Sequence, residues 1–457
     1  IVISSFNVSY ARNMHSTRRI SSFLILSQRL TCKKPCFLKV LPTVDGNRKL
    51  SICSVNLNKE EFPDLYPGTD LKITNTLKIL DPLQQEGIPV YQVLNASGEV
   101  KNKDEDPKVE KSVLVNVYKM MIQLNSMDKI LYESQRQGRI SFYMTCYGEE
   151  AIHFGSASAL NDVDLIFSQY REQGVLMWRG FPLESFMNQC YGNENDLGLG
   201  RQMPVHYGSK VHNFVTISST LATQMPNAVG AAYALKMQKS NSCAVCYFGE
   251  GAASEGDAHA AFNFAATLDC PIIFICRNNG YAISTPVKDQ YRGDGISARG
   301  SGYGIPTIRV DGNDFLAVYN VTKKARSICI NENRPVLIEA MTYRVGHHST
   351  SDDSSAYRSA NEVKYWKDID SPINRLRNYL ENKGWWSEEE NENLKKEVQK
   401  NIMQAFLKAE QTKKPAVVNL FSDVYDSWTP RIKKQYEDTM KHVQKYPNDY
   451  PTNKFAT

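Results

Sequence analysis

The sequence predicts an α/β fold, a parallel sheet flanked by helices, with an N-terminal extended arm before it and a C-terminal helical region after it. Three observations predict this. Four short apolar runs, Cys243–Phe248, Pro271–Cys276, Thr307–Val310 and Val336–Met341, read as buried strands. Helix-forming stretches at Ala258–Leu268 and near Leu316–Asn331 alternate with those runs, the rhythm of parallel strands joined by crossover helices. Beyond about residue 360 the chain becomes charged and helix-prone without further strand signals.

The elements follow in chain order. The first 44 residues contain no Asp or Glu but carry Arg12, Arg18, Arg19, Arg29, Lys33, Lys34 and Lys39 among many Ser and Thr. That composition is expected of a mitochondrial transit peptide over 1–45, which stands outside the fold argument. Residues 46–110 are polar and read as an extended arm, with one strand signal at Ile88-Pro89-Val90-Tyr91 and a charged boundary at Lys101–Asp106. From 111 the pattern turns helical: Val113, Val117, Met120, Met121, Leu124 and Met127 share one face. This opens an α/β domain over 111–360, with another helix at Pro182–Gln189. Residues 361–457 form the helical region, marked by the pair Trp385-Trp386, which is expected to pack on the core or on a partner.

Composition narrows the function. The 457 residues are 42% apolar and 23% charged, an ordinary globular mixture. A net charge of +5 over this length gives no footprint for nucleic acid. No apolar stretch approaches the ~18 residues of a membrane span. The ten cysteines show no repeating pattern and read as reduced thiols. Cys243 and Cys246 form a C-x-x-C inside an apolar run, which favours a buried strand over a redox or metal pair. No G-x-G-x-x-G follows a strand, which argues against a Rossmann dehydrogenase. Asn95-Ala96-Ser97 is a glycosylation sequon by pattern alone.

In parallel sheets ligands bind beyond the carboxyl ends of strands, so the polar ends of the apolar runs carry the chemistry. The first end reads Gly249-Glu250-Gly251-Ala252-Ala253-Ser254-Glu255-Gly256 and the second Arg277-Asn278-Asn279-Gly280-Tyr281. Glycines 249 and 251 let backbone approach a ligand closely. A helix starting near Ala252 would aim free N–H groups at an anion such as phosphate. Glu250 and Asn279 offer hard oxygens suited to Mg²⁺, and Arg277 adds positive charge toward a diphosphate. Alone, Gly-Glu-Gly is a tight turn; paired with Asn-Asn at the end of the next strand it resembles the thiamine-diphosphate signature, with Glu where most of that family has Asp.

From about residue 86 to 450 the chain resembles the E1 alpha subunits of branched-chain 2-oxo acid dehydrogenase complexes. Ser134-Gln135-Arg136-Gln137-Gly138-Arg139, Arg201-Gln202-Met203-Pro204-Val205-His206-Tyr207 and Gly346-His347-His348-Ser349-Thr350-Ser351-Asp352-Asp353 carry the resemblance. It implies the thiamine-diphosphate-binding fold and a function in branched-chain amino acid catabolism. The reaction would be thiamine-diphosphate-dependent oxidative decarboxylation of branched-chain 2-oxo acids, with the acyl group passed to the lipoyl arm of an E2 transacylase. It implies cofactor contacts at Tyr170, Arg171, Ser219, Leu221, Gly251, Ala252, Arg277 and His348. It implies Mg²⁺ ligands at Glu250, Asn279 and, through its carbonyl, Tyr281. It implies a K⁺ site at Ser218, Thr220, Thr223 and Gln224, with Thr220 where the family usually has Pro.

His348 is the expected catalytic residue, stabilising charge or moving protons near the substrate, and a histidine beside anions should protonate more readily. The carboxylate needed against the cofactor's aminopyrimidine comes, in this family, from a beta subunit, which implies an alpha-2 beta-2 heterotetramer in the mitochondrial matrix. Residues 347–359 are polar and poor in apolar anchors, so ordering them costs entropy that burial does not repay. Within them Ser349 and Ser359 match the family's phosphorylation sites, which implies a kinase and a phosphatase as further partners. Arg344 and Arg358 stand ready to meet a phosphate there. Two alternatives stay open: a pyruvate or acetoin dehydrogenase alpha subunit, and a non-catalytic scaffold subunit.

Overall fold

A computed structural model describes residues 37–40, 50–53, 65–66 and 69–456. They fall into two units, 1–81 and 82–457. In the first, strand β1 (Phe37–Val40) pairs antiparallel with β2 (Leu50–Cys53), Phe37 opposite Cys53. Apart from β1, the segment 1–45 expected to be a transit peptide lies outside the described residues.

The second unit is built on β3 (Val90–Tyr91), β4 (Leu165–Phe167), β5 (Phe214–Val215), β6 (Ala244–Gly249), β7 (Ile272–Asn278), the hairpin strands β8 (Tyr281–Ala282) and β9 (Thr285–Pro286), β10 (Thr307–Asp311) and β11 (Val336–Met341). All but the hairpin join one seven-stranded sheet in the order β3-β10-β11-β7-β6-β4-β5, and every pairing in it is parallel. The expected parallel sheet flanked by helices is therefore present. Every residue of β6 and of β7 is buried. Strands covered on both faces read as unbroken apolar runs, which is why these two were visible in the sequence.

On one face lie Lys111–Arg136, Glu150–Ala159 and Phe315–Glu332. The last two pack closely at Gly155, where an added Cβ would fall 2.8 Å from Val318 Cβ. Gln224–Met237 and Gly256–Thr267 pack together on the other face, over the apolar side chains of β6 and β7. In the C-terminal region, Glu388–Gln411 packs on Lys111–Arg136 and Leu183–Tyr191. Trp386 meets Tyr118 edge to face at 5.4 Å, and the Tyr118 hydroxyl donates to Asn391 Oδ1 at 2.8 Å. No helix among the described residues is long and apolar enough to cross a membrane. Cys243 and Cys246 are buried, unpaired thiols on and beside β6.

Candidate active site

The site is assembled at the carboxyl ends of β6 and β7. Their register sets Gly249 opposite Arg277, so the residues just beyond, Glu250 and Asn279, meet. The Asn279 backbone N–H donates to Glu250 Oε2 at 3.3 Å, and Gln290 Nε2 donates to Glu250 Oε1 at 3.3 Å. Both site side chains are buried. Burial raises the proton affinity of Glu250, and among the described residues no basic side chain lies within 4.0 Å of it. Arg277 relieves this only in part, a buried carboxylate with no ion-pair partner is costly, and a cation bound there would offset the cost. The Asn279 amide turns its Nδ2 to Glu149 Oε1 at 2.7 Å, leaving Oδ1, which accepts from Tyr281 N at 3.4 Å. The Tyr281 carbonyl accepts from Arg344 Nη1 at 3.2 Å, so its second lone pair is the one a metal would use.

One local expectation is corrected. Ala252–Ser254 is a single 3₁₀ turn, and the α-helix begins only at Gly256. The N–H of buried Ala252 thus belongs to a tight turn rather than to a helix N-terminus. Gly251 is required there: a Cβ would come 2.7 Å from Ala282 Cβ of the neighbouring hairpin.

Four arginines converge behind this edge. Buried Arg277 sets Nε 2.9 Å from Glu172 Oε1 and 3.1 Å from Glu149 Oε2, which hold it charged, while its Nη2 finds no partner among the described residues. Arg171 donates from Nη1 to the Thr145 carbonyl at 2.6 Å, and its Nη2 reaches the His348 carbonyl. Arg344 donates from Nη2 to the Ile283 carbonyl at 2.7 Å and to the Tyr357 hydroxyl at 2.8 Å. Arg358 holds the carbonyls of Arg344, Val345 and Gly346. Among the described residues none of Arg171, Arg344 and Arg358 has a carboxylate within 4.0 Å. Buried guanidiniums without counter-charges fit a polyanion.

His348 sits between two of them, its Nδ1 3.2 Å from Arg171 Nη2 and 3.5 Å from Arg344 Nη1. Burial, then Arg171 and Arg344, lower its pKa to about 3. The chain's own groups therefore favour a neutral His348, opposite in sign to the effect expected of neighbouring anions. Because Nδ1 faces two guanidinium donors it is the acceptor, and Nε2 carries the proton. Tyr170 meets the His348 ring edge-on at 6.2 Å.

The loop 218–224 follows β5, two strand positions from β6. Gln224 Nε2 donates to the Tyr247 carbonyl of β6 at 3.0 Å, while its buried Oε1 has no partner among the described residues. The Thr223 hydroxyl donates to the Thr220 carbonyl at 3.0 Å. Ser218, Ser219, Thr220 and Leu221 are exposed, and the Ser219 hydroxyl is bonded to His206 Nε2. An orphaned amide oxygen among carbonyls and hydroxyls suits a cation of modest charge.

The segment 347–359 is held by polar bonds in place of the missing apolar anchors. Asp352 accepts from His348 N at 2.8 Å and from the Tyr357 hydroxyl at 2.6 Å, and His347 Nδ1 bonds Ser354. Ser349 is buried and accepts from Ser351 N at 3.2 Å. Ser359 is exposed and stands apart from the cluster, capping the helix Ala360–Asp368 by accepting from Glu362 N at 3.2 Å.

Sequence reasoning did not single out Glu149, Glu172, Gln169 or Gln290. Gln169 Oε1 accepts from Gly249 N at 2.7 Å and so fixes the end of β6. Glu172 and Gln169 flank Tyr170-Arg171, and four polar residues in a buried stretch was the signal available.

The arrangement can hold a divalent cation and a polyanion side by side, with a neutral imidazole beside them. Comparison with known proteins points the same way. The model of the family described as dehydrogenase E1 component matches residues 118–418. The 2-oxoisovalerate dehydrogenase subunit alpha, mitochondrial, of Homo sapiens is 60% identical over 415 residues, 90% of this chain and 93% of that protein. Its Caenorhabditis elegans counterpart is 59% identical over 393 residues, 86% and 91% of the two chains. The 2-oxoisovalerate dehydrogenase subunit alpha 2, mitochondrial, of Arabidopsis thaliana is 46% identical over 449 residues, 98% and 95%. Likeness of this extent, running through both strand ends and the arginine cluster, makes the chain a member of the dehydrogenase E1 component family.

Proposed function

We propose that the chain is the alpha subunit of a mitochondrial oxidoreductase that decarboxylates branched-chain 2-oxo acids, 2-oxoisovalerate (3-methyl-2-oxobutanoate) among them, and passes the acyl group to the lipoyl arm of an E2 transacylase. The family is thiamine-diphosphate-dependent. The observation that carries the reading is Glu250, a buried carboxylate without a basic partner, beside Asn279 and a cluster of buried arginines that lack counter-charges.

When bound, thiamine diphosphate supplies the electron sink that makes loss of carbon dioxide feasible. The chain's residues do the rest. Arg171 offsets diphosphate charge and Arg277, its own charge met by Glu149 and Glu172, donates to it from the free Nη2, with Tyr170, Ser219, Leu221, Gly251 and Ala252 lining the approach. Glu250, Asn279 and the Tyr281 carbonyl hold Mg²⁺. Gln224 Oε1 with Ser218, Thr220 and Thr223 holds K⁺, stiffening the loop that carries Ser219. His348 keeps a proton on Nε2 and offers it to charge developing at the substrate. The carboxylate that faces the aminopyrimidine ring is supplied by the E1 beta subunit, so the working unit is an alpha-2 beta-2 heterotetramer in the matrix, reached by cleavage of a transit peptide within 1–45. Residues 46–110 are an arm, 111–360 the cofactor domain and 361–457 a helical region.

Ser349 and Ser359 are the sites of a regulatory kinase and phosphatase. A phosphate adds about −1.5 to −2 charge. Buried Ser349 accepts it only after the 347–359 bonds open, and the added charge then opposes the diphosphate and the anionic substrate.

The test is co-expression with a beta subunit, followed by turnover on the three branched 2-oxo acids and on pyruvate, and calorimetry of thiamine diphosphate with and without Mg²⁺. Preference for the branched acids and Mg²⁺-dependent binding are expected. Faster turnover of pyruvate favours the pyruvate reading, absent binding favours a scaffold, and full turnover by the isolated chain removes the need for the beta subunit.

A further inference from the structure

We infer that Glu149 is a positioning residue that fixes which way the Asn279 amide faces and ties it to Arg277. The inference rests on the metal and diphosphate reading of the site. Glu149 is completely buried just ahead of the helix Glu150–Ala159, and its carboxylate is directed at two side chains of the site. One of its oxygens accepts from Asn279 Nδ2 at 2.7 Å, and the other lies 3.1 Å from Arg277 Nε. An Asn side chain has one oxygen and one NH₂ group, and a flip exchanges them. With Nδ2 committed to Glu149, Oδ1 is the atom left for a cation, and a flipped amide would present two N–H groups to it instead.

A carboxylate meets both demands: one oxygen accepts from Asn279 Nδ2, while the other stands as counter-charge to Arg277, whose Nε–H donates to Glu172 Oε1. In Glu149→Gln, either the new oxygen serves Asn279 and the new NH₂ confronts Arg277 Nε, or the oxygen serves Arg277 and the NH₂ turns the Asn279 oxygen away from the metal. Adding Asn279→Asp removes the conflict. The carboxylate introduced at position 279 accepts from the NH₂ introduced at position 149 with one oxygen and keeps the other for the cation, while the amide oxygen at position 149 turns its negative end to Arg277. The two carboxyl-amide positions have then exchanged types at constant charge.

The experiment titrates Mg²⁺ into the assembly with the beta subunit at fixed thiamine diphosphate and reads binding by calorimetry. Glu149→Gln is expected to weaken Mg²⁺ by ~10–100-fold, the usual cost of losing a group that orients a ligand. The pair Glu149→Gln with Asn279→Asp is expected to recover most of that loss. Unchanged Mg²⁺ affinity in Glu149→Gln, or a double variant no better than the single one, overturns the inference. A single variant that fails to assemble while the double variant assembles and binds supports it, whereas failure of both variants to bind, with wild-type binding intact, overturns it. Wild-type protein that shows no Mg²⁺-dependent binding removes the reading of the site itself, a result distinct from the others.

Discussion

His348 shows how much the site depends on neighbours rather than on residue type. A histidine loop suggests a charged imidazole, but Arg171 and Arg344 on Nδ1 make it a neutral donor through Nε2. His348→Gln can keep the acceptor by turning its amide oxygen to the two guanidiniums, so the 347–359 segment stays held. What it loses is a transferable proton. Turnover is expected to fall about 10²–10⁴-fold, with a much smaller loss of cofactor affinity from the changed contact. Steady-state assays and calorimetry on the same assembly check this, and parallel loss of both would mean that His348 is mainly a structural tie. At this scale Glu250, Asn279 and Arg277 were legible because each directly follows or ends an apolar strand. Glu149 was not, because it meets Asn279 across 130 residues and no local spacing announces that pairing.

Among elements, long strands were legible and short ones were not. β6, β7 and β11 are largely apolar strands of six or seven residues and β10 alternates Ile308 and Val310 with polar residues over five, whereas β4 and β5 have three and two and leave no periodic trace. Gln224–Met237 escaped for another reason: it is apolar on every face and shows no stripe. Asp314 illustrates how a single residue joins elements. It caps Phe315–Glu332 by accepting from Ala317 N at 3.1 Å and also takes the N–H groups of Val93 and Leu94 at 2.7 and 2.6 Å, beside edge strand β3. Asp314→Ala removes a cap and leaves two buried N–H groups unmet, an expected cost of about 3–5 kcal/mol in urea unfolding. A loss below about 1 kcal/mol would show that water or a local shift replaces the carboxylate. The helix Glu150–Ala159 carries a pH effect. His153 is fully buried, neither ring nitrogen makes a well-aligned hydrogen bond among the described residues, and burial, then Arg277, lowers its pKa from 6.5 to about 3 against a weak opposing backbone contact at Arg171. Between those values the unfolded chain binds a proton that the native chain refuses, so stability falls as pH drops below 6.5, by up to about 1.4 kcal/mol per pH unit for this group. Native His348 acts in the same direction. In His153→Gln the acid-side slope of unfolding free energy is expected to be shallower by about that amount, and an unaltered slope would show that other groups set it.

At the scale of the molecule, the parallel sheet and its working edge could be read from strand and helix order, but the surface that meets a partner could not. Periodicity reports what one chain buries and is silent on what an assembly covers. The two helices behind β6 and β7 make the point. Gln224–Met237 turns Met225, Ala228, Val229 and Ala232 inward and leaves Gly230, Tyr233, Ala234 and Met237 outside. Gly256–Thr267 likewise buries Ala258, Ala261, Phe262 and Ala265 and exposes Ala260 and Phe264 among the polar Asp257, His259, Asn263 and Thr267. Met237 is 64% and Phe264 57% exposed, and Lys236 Nζ binds the Leu268 carbonyl at 2.7 Å, closing the two helix ends together. Helices that leave large apolar side chains such as Tyr233, Met237 and Phe264 on a shared exposed face bordering the loop 218–224 are expected to be covered in the alpha-beta assembly. Met237→Glu and Phe264→Glu should then leave the isolated chain within about 0.5 kcal/mol of wild type, since neither side chain packs in its core. The same changes should abolish co-purification with the beta subunit, because a charge would be buried without a partner. Undiminished co-purification at unchanged stability would place the beta subunit on another face and leave the apolar surface of these helices to a different contact.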